Sequence, residues 1–386
     1  MKIKILRALI TCSLLIASIN SNAQGGTLTL NGSVSGNLST GNTDVWNITT
    51  NADGLLRLTF TTVSPADLDV TLYDNDGSTN LSATTQSINN STVIVSTEGL
   101  SPGIYHVKIT PHSSTDFGSY TLFDSLFTSS IANDAEPDGT AATAIAVSVA
   151  GSKTGHVGYY YNHQRDTADW YKVTTTADGL LRIYLATARG SKYSNNFMDI
   201  NLTLYDNDGT TALGFVQVYD FNLGGPAKDS ITADGLAPGT YYIQVQSRNN
   251  TNFEDYTISD SLFTPLLAND AEPNGGAATA IILPLAGSKT GHVGYYYNNQ
   301  RDSMDWYKVT TTADGLLRVY LTTARGSVYS NNFLDVDLTL YDNDGTTALG
   351  TVEVYDGIGN PTTKFVTADG LAPGTYYIKV KSRVTA

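Results

Sequence analysis

The chain has 386 residues, a formal net charge of −14 at pH 7, five histidines and one cysteine. This acidity argues against nucleic acid or an anionic membrane as a partner, because both are themselves negatively charged. The length suffices for about three domains of ordinary size. Beyond the first 23 residues, no segment is long and apolar enough to insert into a membrane.

The first 23 residues have the pattern of a secretory signal peptide. Three basic residues precede an apolar run over residues 8–19, and Ser21-Asn22-Ala23 fits a small-residue cleavage site. Cleavage after Ala23 would remove those three positive charges, moving the net charge from −14 to −17, and would also remove Cys12. The mature chain would then have no disulfide, so packing or a metal must hold its core. We expect a secreted or cell-surface protein.

Three copies of one sequence unit follow the signal peptide. The segment ADGLLR recurs at residues 52–57, 177–182 and 313–318, and LYDNDG recurs at residues 72–77, 204–209 and 340–345. Copies two and three are nearly identical, whereas copy one is shorter and has diverged. A period this long indicates tandem whole domains rather than solenoid repeats. The predicted domains are residues 24–129, 130–264 and 265–386.

Each copy has the pattern of short strands separated by turns. In the segment GTYYIQVQS, Tyr241, Ile243 and Val245 share one strand face, opposite Tyr242 and Gln244. Such strands alternate with Asp-Gly, Pro-Gly and Asn-rich turns, and no long helical stretch appears in the mature chain. The pattern predicts an all-β fold of tandem antiparallel β-sandwich domains with a jelly-roll-like arrangement.

The third copy stops earlier than the second. Fifteen residues follow Arg248 up to Phe263, including the strand DYTISDSLF, whereas only three residues follow the equivalent Arg383. We therefore expect copy three to lack its final strand and to expose a hydrogen-bonding edge. We also expect the sequence to be part of a longer polypeptide, or a truncated gene model.

Copies two and three open on related acidic segments, NDAEPDG at residues 133–139 and NDAEPNG at residues 269–275. A proline disfavours helix in the residue before it and pushes Glu136 toward an extended conformation. In an extended chain Asp134, Glu136 and Asp138 would point the same way. Because unpaired carboxylates repel one another, either water or a cation must lie between them.

Further motifs follow in the same order in both copies. The first is DTADWYKV at residues 166–173 of copy two and DSMDWYKV at residues 302–309 of copy three. LYDNDG comes next, and the last is GLAPGTYYIQV in copy two and GLAPGTYYIKV in copy three. In this order the motifs resemble the bacterial pre-peptidase C-terminal domain, a β-sandwich module appended to secreted peptidases and other exported proteins. The resemblance covers copies two and three except for the last strand of copy three. Copy one matches only from ADGLLR onward, plus a weak TDVWNI. The resemblance implies a non-catalytic accessory module.

Relatives of that family include the collagen-binding domains of bacterial collagenases, in which acidic residues near the start of the domain hold calcium. Carried over residue by residue, the resemblance implies calcium ligands at Asp134, Glu136, Asp138, Asp166 and Asp169 in copy two, and at Asp270, Glu272, Asn274, Asp302 and Asp305 in copy three. Calcium takes six to eight hard oxygen ligands, which such clusters can supply. A solvated acidic linker is the alternative. In copy one Gly41 replaces Asp166 and only Asp44 remains, so we expect no calcium site there.

Two other motifs look like ligand loops. LYDNDG begins like a calcium-binding loop but lacks the glutamate at the twelfth position, and Asp-Gly between alternating strands favours a hairpin turn. GSKTG, at residues 151–155 and 287–291, lacks the glycine spacing of a phosphate loop. It predicts a loop between strands.

The sequence contains no recognisable catalytic motif. None of the five histidines forms His-Glu-x-x-His, Gly-x-Ser-x-Gly is absent, and cleavage would remove the only cysteine. We therefore expect no enzyme activity within these residues.

Tyrosine triplets occupy residues 159–161 and 295–297. Because strand side chains alternate between faces, at least one ring of each triplet must face away from the core. Tyr160 and Tyr296 are the candidate ligand-binding residues, for an extracellular polysaccharide or protein polymer. Cross-strand packing is the alternative. Two functions stay open: a calcium-stabilised adhesion or targeting module, or a spacer or maturation segment for a secreted peptidase or other hydrolase whose catalytic domain is not in this chain.

Overall fold

A computed structural model describes residues 24–63, 66–81, 84–89, 91–188, 199–219, 227–248, 254–298, 300–324, 335–356 and 361–383. The predicted signal peptide and Cys12 lie outside the described residues. The described helices are two single 3-10 turns, η1 (Ala141–Thr143) and η2 (Ala277–Thr279). No helix in the described part of the chain has the length and hydropathy needed to cross a bilayer.

The chain forms two compact units, of which the first comprises Met1–Thr97 and Pro102–Phe127 and the second comprises Glu98–Ser101 and Thr128–Ala386. The second unit contains both copies two and three.

Copy one is a sandwich of two sheets. Its strands are β1 (Gly25–Leu28), β2 (Ser33–Leu38), β3 (Asp44–Thr50), β4 (Gly54–Thr62), β5 (Leu68–Tyr73), β6 (Thr84–Asn89), β7 (Thr92–Leu100), β8 (Gly103–Pro111) and β9 (Gly118–Thr128). One sheet has the order β1-β3-β8-β5, and the other has the order β7-β4-β9-β2 with β6 paired to β7. Leu56, Leu58 and Phe60 of β4 and Val107 and Ile109 of β8 are fully buried, because alternate residues of both strands face the core.

Copy two repeats this plan. Its strands are β10 (Ile145–Val147), β11 (Ser152–Val157), β12 (Tyr160–Tyr161), β13 (Gln164–Arg165), β14 (Ala168–Thr175), β15 (Gly179–Ala188), β16 (Asp199–Tyr205), β17 (Ala212–Tyr219), β18 (Lys228–Leu236), β19 (Gly239–Ser247) and β20 (Glu254–Phe263). The sheet β10-β14-β19-β16-β17 packs on the sheet β11-β20-β15-β18. Tyr171, Ile183, Leu202, Ile243 and Ile258 form the core between them.

Copy three has the same first sheet and a smaller second sheet. Its strands are β21 (Ile281–Ile282), β22 (Tyr296–Tyr297), β23 (Gln300–Arg301), β24 (Met304–Thr311), β25 (Gly315–Thr322), β26 (Asp335–Tyr341), β27 (Ala348–Tyr355), β28 (Thr363–Leu371) and β29 (Gly374–Ser382). The sheet β21-β24-β29-β26-β27 packs on β25 and β28, which pair only with each other in the described part of this copy. Tyr296 of β22 pairs in parallel with Leu236 of β18, so copies two and three share one sheet edge within the second unit.

The structure confirms the predicted all-β fold of tandem sandwiches with an incomplete last copy. The pairing is antiparallel except for a few contacts, among them the short first strand of each copy, which pairs in parallel: β1 with β3, β10 with β14 and β21 with β24.

The structure also confirms that LYDNDG is a hairpin turn. In copy two the amide of Gly209 donates to the carbonyl of Asp206 (2.9 Å), and Asp208 Oδ1 accepts from the amides of Thr210 and Thr211 (2.7 Å each). These bonds close the turn between β16 and β17, so Asp208 already has its partners.

The loop predicted for GSKTG is wrong in copy two. Residues from Ser152 onward form β11, because they pair antiparallel with β20, which lies about a hundred residues further along the chain. In copy three the corresponding residues 287–291 belong to no strand.

Candidate functional site

The acidic segment of copy two is held against β11 and the start of β14 by hydrogen bonds. The amide of Trp170 donates to the carbonyl of Asp138 (3.1 Å), and the amide of His156 donates to Asn133 Oδ1 (2.7 Å). The amide of Gly158 donates to the carbonyl of Asp166 (2.6 Å), which fixes the loop that precedes β14. Three separate stretches of chain therefore meet at one point.

Carboxylates from these stretches converge. Glu136, Asp138, Asp166 and Asp169 each place one oxygen so that all four lie within 4.8 Å of one another. Asp134 lies beside this group, and its charge raises the pKa of its neighbours Glu136 and Asp138. The structure therefore brings together the five residues that the resemblance singles out in copy two.

The reason for the convergence differs from the one expected. Residues 133–139 form no strand, and the backbone bends at Glu136. Glu136 Oε2 accepts from the amide of Asp138 two residues later (3.3 Å), across this bend. The expectation that an extended chain aligns the three acidic side chains is therefore wrong.

Several oxygens in the cluster are buried without a hydrogen-bond donor. Asp138 is fully buried, and neither of its carboxylate oxygens has a partner. Asp134, Asp166 and Asp169 each have one further carboxylate oxygen that is buried without a hydrogen-bond partner. Buried polar groups are almost always paired, so this concentration of unpaired oxygens points to a positive ligand.

Burial and mutual repulsion disfavour the charged forms of these groups. The pKa of Glu136 is raised to about 7 by burial and by the charges of Asp166 and Asp134. The pKa of Asp138 is raised to about 9 by burial and by Asp134 and Glu136. Burial also raises the pKa of Asp134, and that of Asp169 well above its ordinary value. No lysine or arginine forms an ion pair with these carboxylates among the described residues.

Two tyrosines that the sequence prediction missed complete the cluster. The Tyr171 hydroxyl donates to Asp134 Oδ2, the Tyr256 hydroxyl donates to Asp169 Oδ2, and the two hydroxyl oxygens lie 2.6 Å apart. Gly155 lies beneath them, since a Cβ there would come within 2.5 Å of both hydroxyl oxygens. The only sequence signal was a tyrosine two residues after Asp169, because Tyr256 is brought in by tertiary folding.

Copy three repeats the cluster with one substitution. Asp270, Glu272 and Asp305 each place an oxygen within 4.8 Å of the others, and Asn274 takes the place of Asp138. Asn274 is fully buried, and neither atom of its amide has a hydrogen-bond partner. Asp302 also has one buried oxygen without a donor.

The same causes raise the pKa values in copy three. Burial and the charge of Asp302 raise the pKa of Glu272 to about 7. Burial and the neighbouring acidic groups raise the pKa of Asp305 to about 9. The Tyr307 hydroxyl donates to Asp270 Oδ2 (2.5 Å), as Tyr171 does to Asp134 in copy two.

The cluster of copy three opens into a cavity of about 250 Å³ that copy two helps to line. Asp270, Glu272 and Asp302 form one side, and Asp178 and Pro238 of copy two form the other. Across the same junction, within the second unit, His292 Nδ1 lies 3.2 Å from Asp178 Oδ2. The acidic group of copy three is therefore next to the joint between the two copies.

The structure places the predicted ligand-binding tyrosines in half-buried positions. The guanidinium of Arg165 lies 4.4 Å from the ring centre of Tyr160, and that of Arg301 lies 4.5 Å from the ring centre of Tyr296. Tyr296 also packs against the core of copy two. The following residue is the most exposed of each triplet: Tyr161 and Tyr297 are each 40% exposed.

In copy one the position corresponding to Asp169 is taken by Asp44. Asp44 pairs with Ile109 of β8 as Asp169 pairs with Val245 of β19, so both lie at the same point of equivalent strands. Asp44 is buried, but both its oxygens have donors: the backbone amide of Gln24 (2.6 Å) and the hydroxyl of Tyr120 (2.6 Å).

Two regions of the chain match a known protein family. Residues 167–247 and 303–382 match the family model of the bacterial pre-peptidase C-terminal domain. The chain is similar to the pre-peptidase C-terminal domain of collagenase from Bacillus anthracis, with 19% identity, a TM-score of 0.24, and coverage of 26% of this chain and 94% of that one. It is also similar to the tandem CBM22 domains of Xyn10C from Paenibacillus barcinonensis, with 11% identity, a TM-score of 0.20, and coverage of 60% and 86% respectively.

No curated protein matches the sequence. The family match itself spans the β14–β19 and β24–β29 regions, which carry Asp169 and Asp305, and it repeats at the spacing of the internal copies. Copies two and three therefore each contain a region that matches the bacterial pre-peptidase C-terminal domain.

Proposed function

We propose that this chain is a secreted, non-catalytic module in which copies two and three each bind one calcium ion. The observation that carries the proposal is Asp138, whose carboxylate is fully buried without a hydrogen-bond donor among four other acidic side chains. A buried carboxylate of this kind costs several kcal/mol unless a positive charge compensates it. A divalent cation supplies that compensation.

The donor set fits calcium better than other metals. Each cluster offers carboxylate oxygens, plus an amide at Asn274 in copy three, and contains no thiolate and no imidazole. Hard oxygen ligands suit calcium and magnesium, whereas zinc and copper favour nitrogen and sulfur. Five side chains from two stretches of chain give the large, irregular oxygen shell that calcium accepts and that strict octahedral magnesium does not.

Calcium binding would also stabilise the joint between copies two and three. The acidic group of copy three shares a cavity with Asp178 and Pro238 of copy two, and the segment bearing Asp270 runs directly out of the linker. An ion held by Asp270 and Asp305 ties that linker to β24. The ion would therefore limit motion of copy three relative to copy two.

We further propose that the repeated domains attach the protein to an extracellular polysaccharide or protein polymer. Tyr161 and Tyr297 present equivalent exposed rings in successive copies, next to Tyr160 and Tyr296. Two equivalent weak sites on one chain raise apparent affinity through avidity. A spacer or maturation segment without polymer binding is the other function compatible with these domains.

Isothermal titration of the chelator-treated mature protein tests calcium binding. The expected stoichiometry is two ions per chain, falling to one in either Asp169→Ala or Asp305→Ala. Asp208→Ala, which removes an exposed turn aspartate from copy two, is the matched control and leaves two ions bound. Absence of binding, or loss of a site in the control, would contradict the proposal.

Retention on chitin, cellulose, collagen and cell-wall material tests polymer attachment. A chain carrying Tyr160→Ala, Tyr161→Ala, Tyr296→Ala and Tyr297→Ala should lose retention, whereas Phe215→Ala, which removes an exposed ring on β17, should not. If the wild-type protein is retained on none of these materials, the spacer function is favoured instead.

A further inference from the structure

The first residue after the predicted cleavage site is attached to the core of copy one. The amide nitrogen of Gln24 donates to Asp44 Oδ1 at 2.6 Å. The carbonyl of Gln24 accepts from the amide of Val45 (3.2 Å), and its side-chain Oε1 accepts from the amide of Asn37 (3.0 Å). Three groups of one residue therefore bind to two different strands, β2 and β3.

The residues that follow allow this close approach. Gly25 begins β1 and pairs with Val45, and a Cβ at Gly25 would lie only 2.4 Å from the Val45 carbonyl oxygen. Any larger residue at position 25 would push the chain away from β3. The glycine therefore lets the nitrogen of Gln24 reach the carboxylate of Asp44.

Asp44 is a buried acidic side chain whose hydrogen-bond partners are a backbone amide and a tyrosine hydroxyl. It is 1% exposed, its second oxygen accepts from the neutral hydroxyl of Tyr120, and no lysine or arginine ion pair to it occurs in the described part of the chain. Hydrogen bonds from neutral donors compensate a buried carboxylate less well than a positive charge does.

We propose that cleavage after Ala23 converts the nitrogen of Gln24 into an α-ammonium group that forms an ion pair with the buried side chain of Asp44. This proposal rests on the predicted cleavage site, which is part of the proposed secretion. Before cleavage the same nitrogen is a neutral peptide amide with one hydrogen. After cleavage it carries a positive charge at neutral pH and donates the same hydrogen bond in its stronger, charge-assisted form.

The ion pair makes processing a step that stabilises copy one. Asp169 of copy two and Asp44 of copy one occupy equivalent positions. In this proposal the positive charge beside Asp44 is the new chain terminus, whereas that beside Asp169 is the proposed calcium ion. Signal removal and folding of the first domain are thereby linked, and the mature form is the more stable one.

A second consequence concerns cyclisation of the terminal glutamine. In that reaction the α-nitrogen attacks the side-chain Cδ, a new N–C bond forms, the bond to the side-chain nitrogen breaks, and ammonia leaves. The structure holds the two reacting groups on different partners, the nitrogen on Asp44 and the side chain on Asn37. The folded domain should therefore protect its terminus from cyclisation.

The first measurement is the start of the secreted protein by intact mass and N-terminal sequencing. A start at Gln24 is expected. Another start would overturn the cleavage on which the ion pair depends, and it would leave the calcium sites of copies two and three unaffected.

The second measurement is thermal unfolding of copy one in three proteins: the chain that starts at Gln24, the chain that retains Ser21-Asn22-Ala23, and the chain with an acetylated Gln24. We expect the free terminus to melt about 5 °C or more above the other two. In an Asp44→Asn background the three should melt together, because the charge that the ammonium pairs with is gone.

If Asp44→Asn prevents folding, a different measurement tests the proposal: the rate at which glutaminyl cyclase cyclises Gln24 of the wild-type chain. We expect loss of ammonia to be at least about tenfold slower in the folded chain than after unfolding in urea, with a short peptide that begins Gln-Gly-Gly as the enzyme control. Equal melting of the three termini in the wild-type background, or equal cyclisation rates, would overturn the proposed ion pair.

Discussion

Copies one and two place an aspartate at the same point of the same strand and surround it differently. Asp44 of β3 and Asp169 of β14 are both buried, and each accepts a hydrogen bond from a tyrosine of the last strand, Tyr120 or Tyr256. In copy one the other oxygen has a donor from Gln24. In copy two it has none, and further carboxylates converge on it.

The difference shows how one framework supports two kinds of site. The strand and the tyrosine are common to both copies, and they hold a single buried carboxylate in place. The acidic segment that precedes copy two adds Glu136 and Asp138, so the equivalent aspartate belongs to a cluster of carboxylates with unpaired buried oxygens. In the described part of copy one, Gln24 and β1 lie beside Asp44 and β3 instead.

Calcium is expected to produce the largest difference between the two units. At about a hundred times its dissociation constant, an ion stabilises the folded form by about 2.7 kcal/mol per site. Hydrogen exchange with and without chelator should therefore show slower exchange in β14 and β24 with calcium and no change in β4 of copy one. Equal protection of β4 would remove the distinction between the copies.

The pH dependence is expected to be the next largest effect. Without calcium, Glu136 and Asp138 keep their protons in the folded form up to about pH 7 and 9, whereas the unfolded chain loses them near its ordinary pKa values of 4.5 and 3.8. The folded state binds more protons in this window, so the second unit should lose stability as pH rises from about 4.5 to 9.

Calcium should reverse that trend, because it binds the deprotonated carboxylates and replaces the protons. Urea unfolding at pH 5 and pH 8, with chelator or calcium, measures both slopes. A chelated second unit that becomes more stable toward pH 8 would contradict the cluster's raised pKa values.

Tyr120→Phe should have a smaller effect that is confined to copy one. The change removes the donor to Asp44 Oδ2 and also the acceptor of the Trp46 indole N–H (2.9 Å). Loss of two buried hydrogen bonds should destabilise the first unit by about 2 kcal/mol, with or without calcium. Urea unfolding of the first unit, monitored by hydrogen exchange of the β4 amides, measures this loss of stability. A loss that depends on calcium would mean that copy one also holds an ion.

The smallest predicted effect comes from exchanging the residue that differs between the two acidic clusters. Asp138→Asn gives copy two the composition of copy three, and Asn274→Asp does the opposite. Because calcium affinity rises with the charge of its ligands, the first change should weaken one site and the second should strengthen the other, each by about tenfold. Titration calorimetry resolves this; unchanged affinities would show that position 138 is not a ligand.

Local sequence pattern carried much of the fold and of the candidate site. Alternating side chains predicted the strands, and Asp-Gly predicted the hairpin after β16. Both predictions succeeded because each depends on residues a few positions apart, whereas the grouping of Asp166 and Asp169 with the acidic segment came from the family resemblance. The extended geometry assumed for residues 133–139 failed because the backbone bends at Glu136, whose side chain accepts from the amide of Asp138 across this bend.

The sequence alone determined the repeat, the strand pattern and the identity of the acidic residues, since these are properties of short segments. Only the tertiary structure decided that β11 is a strand, that Tyr256 completes the cluster of copy two, and that Gln24 reaches Asp44 in copy one. The physical reason is common to all three. Each depends on pairing between strands far apart in the chain, where partner and register are set by packing of the whole sandwich rather than by local preference.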